Sequence, residues 1–158
     1  MQLPYSEAPA SQSYPKDISH DLCQQPHILA INHSPDLLDL LRDLLTDEGY
    51  RVTIQSHLER DLAQFNHLSP DLIMIDYMWA TTDENWSLLQ LLRLNPPTAS
   101  TPIVLCTGAI KEAVDLAEHL REMRVDVVLK PFDIERLLKV IAAALVRDPS
   151  AQLERPSA

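Results

Sequence analysis

Glycine is nearly absent from this chain. Only Gly49 and Gly108 occur in 158 residues, whereas a loop that cradles phosphate with its backbone needs several glycines after the first strand. An enzyme or nucleotide binder built on such a loop is excluded in its usual form. Cysteine is as rare: Cys23 lies in a polar stretch, Cys106 in an apolar run, and no CxxC pair exists. This argues against a disulfide framework and suits a reducing compartment. No apolar run reaches bilayer-spanning length, and the opening MQLPYSEAPASQSYPKD lacks the basic start and apolar centre of a signal peptide. A cytoplasmic address with no membrane partner is expected. Positive charge is also short. Thirteen Lys and Arg face 23 Asp and Glu, a net charge of −10. A duplex phosphate backbone is repelled overall, so no direct DNA binding is expected.

What is present has the balance of a globular domain, 46% hydrophobic and 23% charged, with enough chain for one core without disulfides or a structural metal. Residues 1–26 are rich in Pro, Ser and Gln without apolar period and read as a flexible leader. Residues 148–158 read as a flexible tail that leaves no room for an output domain. The expected domain is 27–147, a stand-alone module.

Within it, short apolar runs alternate five times with amphipathic helical stretches, the pattern of successive βα units around a parallel sheet. The expected strands cover 27–32, 51–55, 71–76, 102–106 and 125–129. Leu72, Ile73, Met74 and Ile75 are apolar at consecutive positions, as in a strand covered on both faces. The first helix opens with Ser34 as N-cap and Pro35 at its first position. It carries Leu37, Leu38, Leu41, Leu44 and Leu45 on one stripe and stops at Gly49. The second has Leu58, Leu62 and Phe65 at helical spacing, and the third covers about 84–93 before Pro96 and Pro97. A fourth covers about 110–123. The last places Ile134, Leu137, Leu138, Ile141 and Leu145 on one face behind Asp133 as N-cap. Each stripe is short and sits beside a strand, so it is read as core rather than coiled coil.

In an open parallel sheet, reactive groups collect beyond the carboxyl ends of the strands, where loops are free to vary. Strand one leads into Asn32 and His33, strand three ends at Asp76, strand four leads into Thr107 and strand five into Lys130 and Pro131. A carboxylate, a hydroxyl and an ammonium therefore converge on one edge. Singly, Thr107 has a plainer role as a strand-end cap and Lys130 as a solvated charge. His20, His57, His67 and His119 have no metal-site spacing and read as surface residues.

Four segments, in this order and spacing, resemble the receiver domain of bacterial two-component response regulators: Ile28-Leu29-Ala30-Ile31 before a polar pair, Pro70-Asp71-Leu72-Ile73-Met74-Ile75-Asp76, Thr101-Pro102-Ile103-Val104-Leu105-Cys106-Thr107, and Lys130-Pro131-Phe132-Asp133. The likeness covers nearly all of 28–146. It implies a flavodoxin-like (βα)5 fold, an α/β doubly wound five-stranded parallel sheet in strand order 2-1-3-4-5. It implies Asp76 as phosphoacceptor, taking a phosphoryl group from a histidine kinase or phosphotransfer protein, with Lys130 and Thr107 contacting the phosphoryl oxygens. A signalling acceptor rather than an enzyme is implied, with a cis Lys130–Pro131 bond. Output would pass to a downstream protein, or through a homodimer, by the face of the fourth helix, fifth strand and fifth helix.

The chain departs from the family pattern in three places. The acidic pair after the first strand, which in the family holds Mg²⁺ with the acceptor carboxylate and a backbone carbonyl (here that of Met78), is replaced by Asn32 and His33. Losing two carboxylates weakens the site for so hard an ion. Three readings stay open: a decayed metal site in a domain that signals by binding alone; less efficient phosphorylation, with Asn32, Asp76, Met78 and water holding Mg²⁺ or a protonated His33 replacing part of its charge; or a softer metal held by His33 and Asp76. Residues 77–83 lack the family's proline and glycine, which leaves Trp79 as packing or a partner contact. Val127 stands at the aromatic switch position, so no ring is there to couple to Thr107. Two functions follow: a stand-alone atypical receiver phosphorylated on Asp76, or a phosphorylation-independent pseudo-receiver used for binding or dimerisation.

Overall fold

The apolar runs that lack alternation all become sheet. The computed structural model describes residues 25–57, 61–76, 82–131 and 133–146, with backbone alone for 82–85. Its strands are β1 (His27–Ile31), β2 (Arg51–Gln55), β3 (Leu72–Asp76), β4 (Ile103–Thr107) and β5 (Val125–Leu129). They form one parallel sheet in the order β2-β1-β3-β4-β5, the topology the resemblance implied. Expected and observed strand ends agree to within one residue.

Side-chain alternation divides the core in two. Ile28, Ala30, Leu72, Met74, Val104 and Val128 face α1 (Pro35–Asp47) and the C-terminal helix α6 (Ile134–Val146). Leu29, Ile73, Ile75, Ile103 and Leu105 face α2 (Leu62–Leu68), α3 (Thr82–Leu94) and, past α4 (Ile110–Asp115), helix α5 (Ala117–Glu122). Every residue of β1 and β4 is buried, which is why those runs carry no polar alternation.

Local chemistry sets the helix ends. Ser34 caps α1 and Pro35 opens it. At its far end Tyr50 N–H donates to Leu45 and Gly49 N–H to Thr46, both at 3.0 Å, with Gly49 at φ +93°. This is a Schellman stop, and glycine enters that backbone region without a Cβ penalty. Asp61 caps α2 through Ala63 N–H at 2.9 Å, and Asp133 caps α6 through Glu135 N–H at 2.9 Å. Leu58 and Phe132 lie outside the described residues.

The expected fourth helix is corrected to two short ones, α4 and α5, hinged at Leu116 with φ −100° and ψ 6°. Its start at Ala109 has no side-chain cap, and Val114 and Asp115 before the break are poor helix formers. Both pieces still turn Ala113 and Leu120 inward.

The amino-terminal edge of the sheet is tied by two polar centres that periodicity did not reveal. His27 is buried, with Nδ1 3.2 Å from the Leu68 carbonyl and Nε2 2.7 Å from the Thr53 hydroxyl. A carbonyl only accepts, so Nδ1 carries the proton and Nε2 accepts from Thr53. Arg93, at the end of α3, donates to the carbonyls of Met123 (2.6 Å), Thr101 (2.7 Å), Thr98 (3.2 Å), Arg124 (3.2 Å) and Ala99 (3.4 Å). It stitches the starts of β4 and β5 together. Burial, with Arg124 nearby, pulls the Arg93 guanidinium down to about 10.

Two outcomes follow. Arg93→Met leaves those carbonyls without their charged donor and lowers stability in urea unfolding by about 3 kcal/mol. Burial, then the charge of Arg51, holds the His27 pKa below its ordinary 6.5. The unfolded chain therefore binds the proton more readily. The stability from burying neutral His27 is fully present above pH 6.5 and is lost as pH falls from there toward the lowered folded value. Unfolding free energy measured from pH 7.5 down to 5.5 declines in the wild type, and His27→Gln makes that decline shallower.

Candidate functional site

At the opposite, carboxyl edge, Asp76 ends β3 and Lys130 follows β5. Strand β4 lies between them, so the two backbones stand about 10 Å apart. Register decides whether the side chains meet. Asp76 pairs with Cys106, and Cys106 with Val128. Those three share one sheet face, and Lys130, two residues beyond Val128, starts from the same face. Its long stem crosses β4, and Lys130 Nζ donates to Asp76 Oδ1 in a charge-assisted hydrogen bond. The Asp76 side chain is 12% exposed and that of Lys130 32%, so the pair is half-shielded from water and open to a reactant. The Lys130–Pro131 peptide is cis, as the resemblance implied.

Cys106 is the floor beneath this bridge, and the sequence reading missed its place there. Burial, offset in part by Lys130 and reinforced by Asp76, pushes its thiol up to about 12. It is an inert spacer whose modest volume lets the lysine pass. Its position one residue before Thr107 was the available signal, because alternation sets those neighbours on opposite faces.

Thr107 closes β4 at the same edge, buried to 1% exposure. Its Oγ1 accepts from Ala109 N–H at 3.1 Å, and its carbonyl accepts from Lys130 N–H at 2.7 Å. The threonine thus fixes both the loop after β4 and the start of the lysine's loop. Val127, half-buried, packs on the α2–α5 side of the core.

Asn32 is buried at the end of β1, and its Oδ1 accepts from Ser34 N–H at 2.8 Å while its own N–H donates to Gln55 at 3.1 Å. The side chain is an Asx turn that launches α1. His33 beside it is exposed. Met78 and Trp79 lie outside the described residues. Among the described residues, no three His, Cys, Asp or Glu side chains converge as metal ligands.

A doubly wound parallel sheet with a carboxylate and an ammonium joined at its carboxyl edge defines a receiver-type signalling domain. The chain belongs to the response regulator receiver domain family, whose model it matches over residues 28–142. It is 33% identical over 122 residues to the DNA-binding dual master transcriptional regulator RpaA of Synechocystis, a match covering 77% of this chain and 50% of RpaA. An uncharacterized 14.6 kDa protein of Leptolyngbya boryana is 29% identical over 117 residues, 74% of this chain and 88% of that one. The chemotaxis protein CheY4 of Vibrio cholerae superposes with a TM-score of 0.63 at 22% identity, covering 76% of this chain and 98% of its own, a likeness of fold. The chain spans about half the length of RpaA.

A double-mutant cycle on Lys130→Met and Asp76→Asn should give a coupling of about 1–2 kcal/mol, between exposed and buried pairs. Cys106→Ala keeps that coupling, whereas Cys106→Leu, which fills the lysine's path, abolishes it. The native Cys106 thiol should stay unreactive to iodoacetamide at pH 8 and react once urea unfolds the domain.

Proposed function

We propose that this domain is an atypical receiver in two-component phosphorelay signalling, with Asp76 as phosphoacceptor and output by protein–protein binding. The single observation that supports this most is the meeting of Asp76 and Lys130 at the carboxyl edge of the sheet. In the reaction, an Asp76 carboxylate oxygen attacks phosphorus in line. The P–N bond to the donor histidine breaks, its imidazole keeps the electron pair and takes a proton from solvent, and an acyl phosphate forms. Lys130 shifts from the carboxylate to the new phosphoryl oxygens without changing its charge. Thr107 turns its hydroxyl toward another of those oxygens. The input partner is a histidine kinase or phosphotransfer protein, and the domain passes its state to a downstream protein.

The divalent ion that the family implies does not fit the donor set. Among the described residues that close the strands, Asp76 is the one carboxylate; one of its oxygens is taken by Lys130, and the Asn32 oxygen is taken by Ser34 N–H. A hard ion gains too little from such a shell. Lys130 therefore carries the neutralising charge, and transfer is slow relative to a site with an acidic pair.

A second reading, a phosphorylation-independent binding module, is favoured by one specific observation: Asn32, at a position where the family carries a metal-holding carboxylate, gives its side-chain oxygen to Ser34 N–H instead. Incubation with acetyl phosphate, with and without Mg²⁺ or Mn²⁺, separates the two by intact mass. One added phosphoryl group that disappears in Asp76→Asn is expected, whereas no mass change under any condition would leave only the binding module. Replacing both Asn32 and His33 by Asp should raise Mg²⁺ affinity by about tenfold or more, read by titration calorimetry.

A further inference from the structure

Asn32 stands one step beyond the last pair between β1 and β3, Ile31 with Ile75. Its N–H still donates to the Gln55 carbonyl at 3.1 Å, so the sheet ladder continues through it and Asn32 comes to lie beside Asp76, on a strand about 4.8 Å away. Ala30 and Met74 share the α1–α6 side of the sheet, and Asn32 and Asp76, each two residues further along, take that side too. The amide therefore joins Asp76, Cys106 and Lys130 on one face.

Asn32 is 6% exposed, and its two polar atoms have different fates. A backbone N–H only donates, so the atom 2.8 Å from Ser34 N–H is the oxygen. Nδ2 is thereby turned away from Ser34, and among the described residues it has no hydrogen-bond partner. A buried amide with its acceptor used locally and its donor left over is placed to meet an acceptor from outside. A phosphoryl group on Asp76 brings one, because its oxygens extend past the carboxylate and come within hydrogen-bonding reach of the adjacent strand end.

Charge favours the same arrangement. A second carboxylate at this position would face the phosphoryl dianion and would need a divalent cation between them. A neutral amide removes that repulsion and offers a donor in place of the ion.

We propose that Asn32 Nδ2 donates a hydrogen bond to a phosphoryl oxygen on Asp76, and that this contact, together with Lys130, lets the domain accept phosphate without a divalent cation. The proposal rests on the reading of Asp76 as phosphoacceptor and deepens it. With acetyl phosphate as donor, an Asp76 carboxylate oxygen attacks phosphorus, the P–O bond to acetate breaks, and acetate leaves with the electron pair. Of the three phosphoryl oxygens, Lys130 holds one, Thr107 faces a second, and Asn32 donates to the third as negative charge builds on it.

The test incubates the full chain with acetyl phosphate in EDTA and, separately, in Mg²⁺, and follows the added mass over time. Wild type should react in EDTA within about twofold of its rate in Mg²⁺. Asn32→Asp keeps an oxygen for Ser34 N–H but has no N–H to donate. It should react about thirtyfold or more slowly in EDTA and recover in Mg²⁺. Asn32→Ser, neutral and able to accept from Ser34 through its hydroxyl, should be about tenfold slower in both, which separates the lost donor from the added charge. Both variants should keep the wild-type circular dichroism spectrum. Independently of rate, the Asn32 side-chain NH2 signal in a ¹⁵N–¹H spectrum, assigned by its absence from Asn32→Ser, should move when Asp76 is phosphorylated and stay in place in Asp76→Asn. Wild-type phosphorylation that requires Mg²⁺, an EDTA rate unchanged in either variant, or an unmoved amide in the phosphorylated domain overturns this proposal alone and leaves Asp76 as phosphoacceptor. No added phosphoryl group under any condition overturns both.

Discussion

The site exists because an even number of residues separates its parts in register. Asp76, Cys106 and Val128 lie side by side on one face of three parallel strands, and Lys130 sits two residues past Val128. A shift of β5 by one residue against β4 would send the ammonium to the other face, out of reach of the carboxylate. The hydrophobic patterning that buries β4 on both sides therefore also aligns the charged pair. Core packing and site geometry are fixed by the same ladder.

The two edges of the sheet do different work. At the amino-terminal edge, polar side chains are consumed by the scaffold: His27 joins β1 to β2 and to the end of α2, and Arg93 gathers five carbonyls. At the carboxyl edge the polar groups are less fully committed. Asp76 gives one oxygen to Lys130, and the cation beside it is partly solvated. Asn32 is the exception, a residue at the reactive edge whose oxygen is spent on starting α1. That difference in commitment distinguishes a bonded frame from a place where a phosphoryl group or a partner can enter, and it is consistent with the general location of sites in parallel sheets.

Much of this was legible in the residues themselves. Consecutive apolar positions located the five strands to within a residue, and Ser34, Pro35, Gly49 and Asp133 announced helix ends through chemistry that acts over only a few positions. The polar residue closing each buried run marked the edge where Asp76, Thr107 and Lys130 gather. The single fourth helix was misjudged because its apolar spacing continues through Leu116, and periodicity is blind to a local change of ψ.

Sequence alone thus determined the elements, their order and the set of reactive side chains, because period, capping and turn chemistry are short-range. Only the tertiary structure decided what those side chains do to one another. Lys130 crosses Cys106 to reach Asp76, the Asn32 oxygen is taken by Ser34, and Arg93 finds carbonyls both in the loop after its own helix and 30 residues further along the chain. These pairings depend on strand register and helix placement across 30 or more residues of chain in the longest cases. No local pattern encodes a distance between strands that are not neighbours.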